Sequence, residues 1–135
     1  MVTLRKMLYL LAGITLLMLT ACSKSADLEQ KWQLRQYVYA NGETAREDSL
    51  FYNFQKGSFS AICLLPTGSY HTFFGNYTHT NDELSIVLLP ESSSDENYSR
   101  YIGWENAART FRIETLSETS LQLAAGGTHY LFRSY

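Results

Sequence analysis

From Lys31 almost to the end of the chain, short runs with apolar side chains at every second position are cut at close intervals by glycine, asparagine or proline. A period of two places alternate residues on opposite faces of an extended strand, and no helix reproduces it. Lys31 to Tyr39 opens the series, with Trp32, Leu34, Gln36 and Val38 on one face and Gln33, Arg35, Tyr37 and Tyr39 on the other. Asn41-Gly42 supplies a turn, because both residues tolerate positive φ, and the charged stretch Glu43 to Asp48 reads as loop. Leu50 to Gln55 and Phe59 to Leu64 follow around Lys56-Gly57-Ser58, and Pro66-Thr67-Gly68 ends the pair. Tyr70 to His79 is the longest run, with Tyr70, Thr72, Phe74, Asn76 and Thr78 facing one way and His71, Phe73, Gly75, Tyr77 and His79 the other. Gly75 in its middle predicts a bulge or a sharp bend. After Asn81-Asp82 comes the almost wholly apolar Leu84 to Leu89, read as central and ended by Pro90.

Glu91 to Asn97 is rich in serine and acid and must be exposed, while Tyr98 to Ala108 fits neither period. A connection of this length is long for a compact domain and reads as a lid, with a helical turn near Tyr98 to Ala107. Phe111 and Ile113 then alternate with Arg112 and Glu114. Leu121, Leu123 and Ala125 follow the Ser117–Ser120 turn, and Gly126-Gly127 leads into Tyr130, Phe132 and Ser134. Eight strands in sequence on mostly short turns make a meander, and a meander removes its unpaired edges by closing on itself. The predicted fold is therefore all-β, an eight-stranded antiparallel up-and-down barrel, whose interior is just wide enough for side chains or one small ligand.

Before this pattern lies a stretch of different character. Arg5 and Lys6 precede the apolar run Met7 to Leu19, and Leu19-Thr20-Ala21-Cys22 ends it. Thirteen residues are too few for a spanning helix, which takes about 20, and fit a secretory leader. The pattern resembles the lipobox of bacterial lipoproteins. That resemblance implies a leader over residues 1–21, Cys22 carrying fatty acyl chains such as palmitate, a tether over residues 22–28 and a domain over residues 29–135. Several such chains would hold the protein on a membrane essentially permanently. In enterobacterial lipoproteins an aspartate after the cysteine favours the inner membrane; Ser23 stands here and points to the outer membrane, with the periplasmic or surface face left open.

Removing the leader leaves nine Lys and Arg against thirteen Asp and Glu, so nucleic-acid binding has no electrostatic footing. With Cys22 acylated, Cys63 has no partner within the chain and reads as a buried small hydrophobe inside Ala61-Ile62-Cys63-Leu64-Leu65. The barrel pattern resembles the small lipocalin-like lipoproteins of Gram-negative bacteria, particularly the Bacteroidetes type. Trp32 with Leu34, Tyr52-Asn53-Phe54, Gly75-Asn76-Tyr77 and Tyr130-Leu131-Phe132 carry the resemblance, which spans about Glu29 to Tyr135. The Gly-x-Trp signature that opens true lipocalins is absent, because Gln30 stands at the glycine position.

For catalysis and metal binding the sequence offers little. His71 and His79 share a face of one run but lie about 26 Å apart by the strand rise, His71 with His129 alone makes a poor ligand set, and Glu43, Glu47 and Asp48 read as a solvated face. No phosphate loop or nucleophile elbow is present, so the expectation is a non-enzymatic protein with no catalytic residue, metal site or cofactor. Aromatic density is the stronger signal, with ten tyrosines and seven phenylalanines. It leads to a binding barrel holding a small apolar or amphipathic ligand, with Tyr101 and Trp104 as gate and Tyr70, Phe74 and Tyr130 as lining. The rival reading turns the same aromatics outward, as an interaction module, accessory subunit or inhibitor, for a protein of the cell envelope. The two readings divide on whether the barrel is hollow or filled.

Overall fold

The computed structural model describes residues 27–94 and 97–135. The leader, Cys22 and residues 23–26 of the tether lie outside the described residues. Among the described residues nine strands follow one another: β1 (Lys31–Val38), β2 (Thr44–Arg46), β3 (Leu50–Gln55), β4 (Ser58–Leu64), β5 (Tyr70–His79), β6 (Glu83–Leu88), β7 (Ala108–Leu116), β8 (Ser120–Ala125) and β9 (Thr128–Ser134). Two short helical segments, α1 (Pro90–Ser93) and α2 (Tyr98–Ile102), sit between β6 and β7. All ladders are antiparallel, and β9 pairs back onto β1 from Trp32↔Ser134 to Val38↔His129. Eight strands thus close a barrel, as the alternation predicts.

The ninth strand, β2, falls in Glu43–Asp48, where the sequence predicts a loop. It pairs with the far half of β1 (Gln36↔Arg46 to Val38↔Thr44), while β3 pairs with the near half (Lys31↔Asn53 to Gln33↔Phe51). Its three residues have no buried apolar face to announce them, so only the backbone pairing defines the strand.

A second departure lies in β1 itself. The β1–β9 register slips between Leu34 and Gln36, so that Leu34 opposes Phe132 and Gln36 opposes Leu131. This extra residue is a β-bulge, which reverses the inward face of the strand beyond it. Trp32 and Leu34 are fully buried, but past the bulge Tyr37 is the side chain that packs inward, against Tyr130. At Gly75, by contrast, the predicted bulge is missing: β5 pairs without a slip through Phe59↔Gly75 on one side and Gly75↔Leu88 on the other. Close approach explains the glycine instead, since a Cβ there would lie 2.5 Å from the Val87 carbonyl oxygen.

Hydrophobic burial holds the barrel together. Inward positions from every barrel strand meet at the axis: Trp32, Tyr52, Phe59, Phe73, Leu84, Phe111, Leu121 and Phe132 are all buried. Tyr52 stands at the hub, with the rings of Phe54, Phe59, Trp104, Phe111 and Phe132 at 4.9–6.4 Å from it. Each such side chain contributes roughly 1.5–3 kcal/mol by leaving water. Cys63 is a free, buried thiol on this inner face, and burial pushes its pKa up, which leaves it an inert packing group.

The ends of the barrel differ. At one end the segment before β1 crosses the opening. Leu28 is fully buried, its carbonyl accepts the Trp32 indole N–H at 3.0 Å, and the Gln30 carbonyl accepts the Phe54 amide at 3.1 Å. Gln30 adds side-chain bonds, accepting from the Ser134 hydroxyl at 2.6 Å and donating to the Glu118 carbonyl at 3.5 Å. The residue at the missing signature glycine therefore ties the closed end together. At the opposite end, the mouth, the β6–β7 connection with α1 and α2 lies over the barrel.

Candidate functional site

Three strands and the lid build the mouth. The bulge in β1 turns Tyr37 inward, directly opposite Tyr130 of β9 in the ladder. Their rings meet edge to face at 5.4 Å, and Tyr39 stacks on Tyr37 at 6.0 Å with an interplanar angle of 10°. β7 brings Arg109 to the same place, two positions before Phe111 and so on the same inner face. The Arg109 guanidinium lies 5.2 Å from the Phe111 ring centre and 5.5 Å from that of Tyr130, and its Nη2 donates to the Tyr130 hydroxyl. From the lid, α2 ends at Gly103, whose φ of 69° is the left-handed geometry that terminates a helix. That reversal sets Ile102 over the mouth. Tyr37, Tyr39, Ile102, Gly103, Thr128 and Tyr130 line a depression of about 290 Å³.

Burial pushes the Tyr37 hydroxyl well above the ordinary phenol range, with the charge of Glu47 adding to it. Burial also raises Tyr130, against the pull of Arg109. Both phenols are therefore neutral in any physiological setting and can donate as well as accept hydrogen bonds. The mouth presents ring faces, phenol hydroxyls and one guanidinium.

Of the five residues the sequence proposes for ligand binding, Tyr130 alone lines this depression. Trp104 lies at the axis: it is 1% exposed, stacks on Phe59 at 5.9 Å and donates its indole N–H to the Tyr52 hydroxyl at 2.9 Å. It fills the barrel and does not gate it. Tyr101 packs from α2 onto the His71 ring at 4.5 Å, with the Arg100 guanidinium 5.3 Å from its ring centre, and so pins the lid to β5. Tyr70 and Phe74 are on the outer wall, 65% and 55% exposed, because β5 turns its odd-numbered residues inward; they do not share a lining with Tyr130. Sequence reasoning misses Arg109, although extending the Phe111–Ile113 alternation back by one step places it inside.

Nor do the histidines converge. His71 lies against Tyr101 under the lid, His79 stacks on Tyr77 near the closed end, and His129 on β9 pairs with Glu114. Among the described residues no group of three or more His, Cys, Asp and Glu side chains is gathered where it could hold a metal ion. Among those residues, too, no helix is long and apolar enough to cross a membrane.

A closed antiparallel meander with a plugged base and an aromatic mouth under a helical lid is a small up-and-down β-barrel. The chain belongs to the lipocalin-like domain family, which it matches over residues 17–135. It is similar to a lipocalin-like protein from Bacteroides uniformis ATCC 8492, with 56% identity over 80% of this chain and 98% of that one and a TM-score of 0.75. An uncharacterized protein from Bacteroides eggerthii DSM 20697 is similar at 42% identity, over 81% of this chain and 100% of that one, with a TM-score of 0.71. No curated protein matches the chain. The lipocalin-like fold suggests a ligand-binding protein, and binding without catalysis is usual in such a family.

Proposed function

We propose that the protein is a lipid-anchored, non-enzymatic binding barrel of the outer membrane that takes a small amphipathic ligand at its mouth and not along its axis. The observation that carries this reading is the division of aromatic side chains. Those at the axis are packed around Tyr52, whereas Tyr37, Tyr39 and Tyr130 surround an open depression of about 290 Å³. That volume is at the lower bound of ordinary small-molecule sites, about 300 Å³. Anchoring at Cys22 rests on the lipobox, and the fold is compatible with it. The seven residues from Cys22 to Leu28 span six steps and reach at most about 22 Å, so the plugged end would sit near the bilayer. β1 then runs away from that end, and its eight residues, tilted as barrel strands are, put the mouth roughly 20 Å farther out, open to water.

The test is an amide NMR titration of the chain from Ser23 onward with uncharged N-phenylnaphthylamine. Among the described residues the barrel closes by β9 pairing directly on β1. Shifts should centre on Tyr37, Tyr39, Ile102, Gly103, Thr128 and Tyr130. Shifts centred on Tyr52, Phe54 and Trp32 would overturn the mouth reading. A second reading, an interaction module for an envelope protein, has its own observation: Phe74 of β5, Val87 of β6 and Leu89 just after it are exposed apolar side chains on the outer wall, with Tyr70 exposed farther along β5. Binding of an envelope protein that Phe74→Ser abolishes, together with no small-ligand binding, would favour it.

A further inference from the structure

We propose that Arg109 makes the mouth selective for small organic anions with a ring body, the carboxylate or sulfonate meeting the guanidinium and the rings meeting Tyr37, Tyr39 and Tyr130. This rests on the mouth reading and names the class of ligand. An arginine turned to the inside of a barrel is expected to find a carboxylate, since a buried charge without a partner is strongly disfavoured. Here the ion pairs among the described residues are Arg35 with Asp48, Arg112 with Glu114 and His129 with Glu114. Arg109 has none. Its Nη2 is used on the Tyr130 hydroxyl, and its Nε is buried with no acceptor among the described residues.

The guanidinium is placed to be reached. Arg109 lines a second depression of about 270 Å³, beside Asn106, Ala108 and Gly126, in the notch where β7 runs on past the end of β8. Tyr130 lines the first depression, so the Arg109–Tyr130 pair joins the two. Glu105 borders the notch but forms no ion pair with Arg109. An anionic head in the notch would give the guanidinium the charged partner it lacks, through its nitrogens other than the buried Nε, and charge-assisted bonds of this kind are about twice as strong as neutral ones. A purely structural Arg109 would need only its stacking on Phe111 and Tyr130.

Two probes with one ring body separate these roles: anilinonaphthalene sulfonate and uncharged N-phenylnaphthylamine, titrated by fluorescence into the chain from Ser23 onward. The wild type should prefer the sulfonate. The ratio of sulfonate to neutral affinity should fall about tenfold or more in Arg109→Gln, less in Arg109→Lys, and stay constant in Arg112→Gln, which removes the same charge elsewhere. Raising salt should lower the wild-type ratio, which keeps the test alive if Arg109→Gln fails to fold. If both probes bind but the ratio ignores Arg109 and salt, the anion assignment is overturned while the mouth reading survives. If neither probe binds the wild type, both are overturned.

Discussion

Replacing Trp104 with alanine would remove the largest side chain that the lid lends to the barrel. The indole is fully buried, stacked on Phe59 and 6.2 Å from the Tyr52 and Phe111 rings, so the neighbours cannot close over the space without giving up their own packing. Truncations of this kind cost about 3–5 kcal/mol, a large part of the 5–15 kcal/mol that holds a typical domain together. At this chain length the loss corresponds to a fall in Tm of about 12–20 °C. Urea and thermal unfolding followed by far-UV circular dichroism measure it. Trp104→Phe keeps most of the ring but strands the Tyr52 hydroxyl, and should cost about 1–3 kcal/mol. The hole left by alanine would be lined by Phe59, Phe111 and Tyr52, and an apolar hole of that kind takes up small aromatics. Indole at ten times its Kd should restore about 1.4 kcal/mol, roughly 6 °C, to the variant and nothing to the wild type. A cost below about 1 kcal/mol would refute the reasoning, because Trp104 would then be a surface lid residue over a hollow barrel.

Gly75→Ala should destabilise by about 1–3 kcal/mol in the same unfolding assay, since the new methyl meets the Val87 carbonyl, which is backbone and cannot swing away. Leu84→Ala and Leu88→Ala should each cost about 2–5 kcal/mol, while Val87→Ala, on the exposed face of β6, should stay within about 0.5 kcal/mol. At Glu114, burial would raise the carboxyl, but hydrogen bonds from His129, Gln122 and Arg112 outweigh it and hold the group below its ordinary value of 4.5. A depressed acid stabilises the fold fully above its unfolded value and loses that contribution as pH falls through the folded one, so Glu114→Gln should flatten the acid limb of the stability curve below about pH 4.5. Mass spectrometry of the protein made in a lipoprotein-competent bacterium should find the mature N-terminus at an acylated Cys22, and an unmodified terminus elsewhere would refute anchoring.

Much of the barrel is legible in the amino-acid sequence, because turn chemistry and alternation are local. Lys56-Gly57 turns between β3 and β4 with φ of 48° and 82°, the paired positive values of a tight hairpin. Leu84, Ile86 and Leu88, like Leu121 and Leu123, fall on the inner face that their spacing implies. Alternation says which residues share a face, but it does not say which face is inside when both carry aromatics. On β5 the choice lies between Tyr70 with Phe74 and Phe73 with Tyr77, and the packing of Tyr77 on Phe54 selects the second pair. The bulge that turns Tyr37 into the mouth depends on pairing with β9, at the far end of the chain, and nothing local marks it. Trp104 is legible as an anchor of some kind; whether it seals the barrel or hangs outside depends on the Tyr52 hydroxyl, supplied by a distant strand.

The central claim is that the axis is filled and that ligand is taken at the mouth. A crystal structure of the chain from Ser23 onward grown with N-phenylnaphthylamine tests it most directly. Density for the probe should lie against Tyr37, Tyr39 and Tyr130, with Trp104 still stacked on Phe59 and its indole N–H still on the Tyr52 hydroxyl. A probe lying along the barrel axis, with Trp104 swung out of the interior, would contradict it.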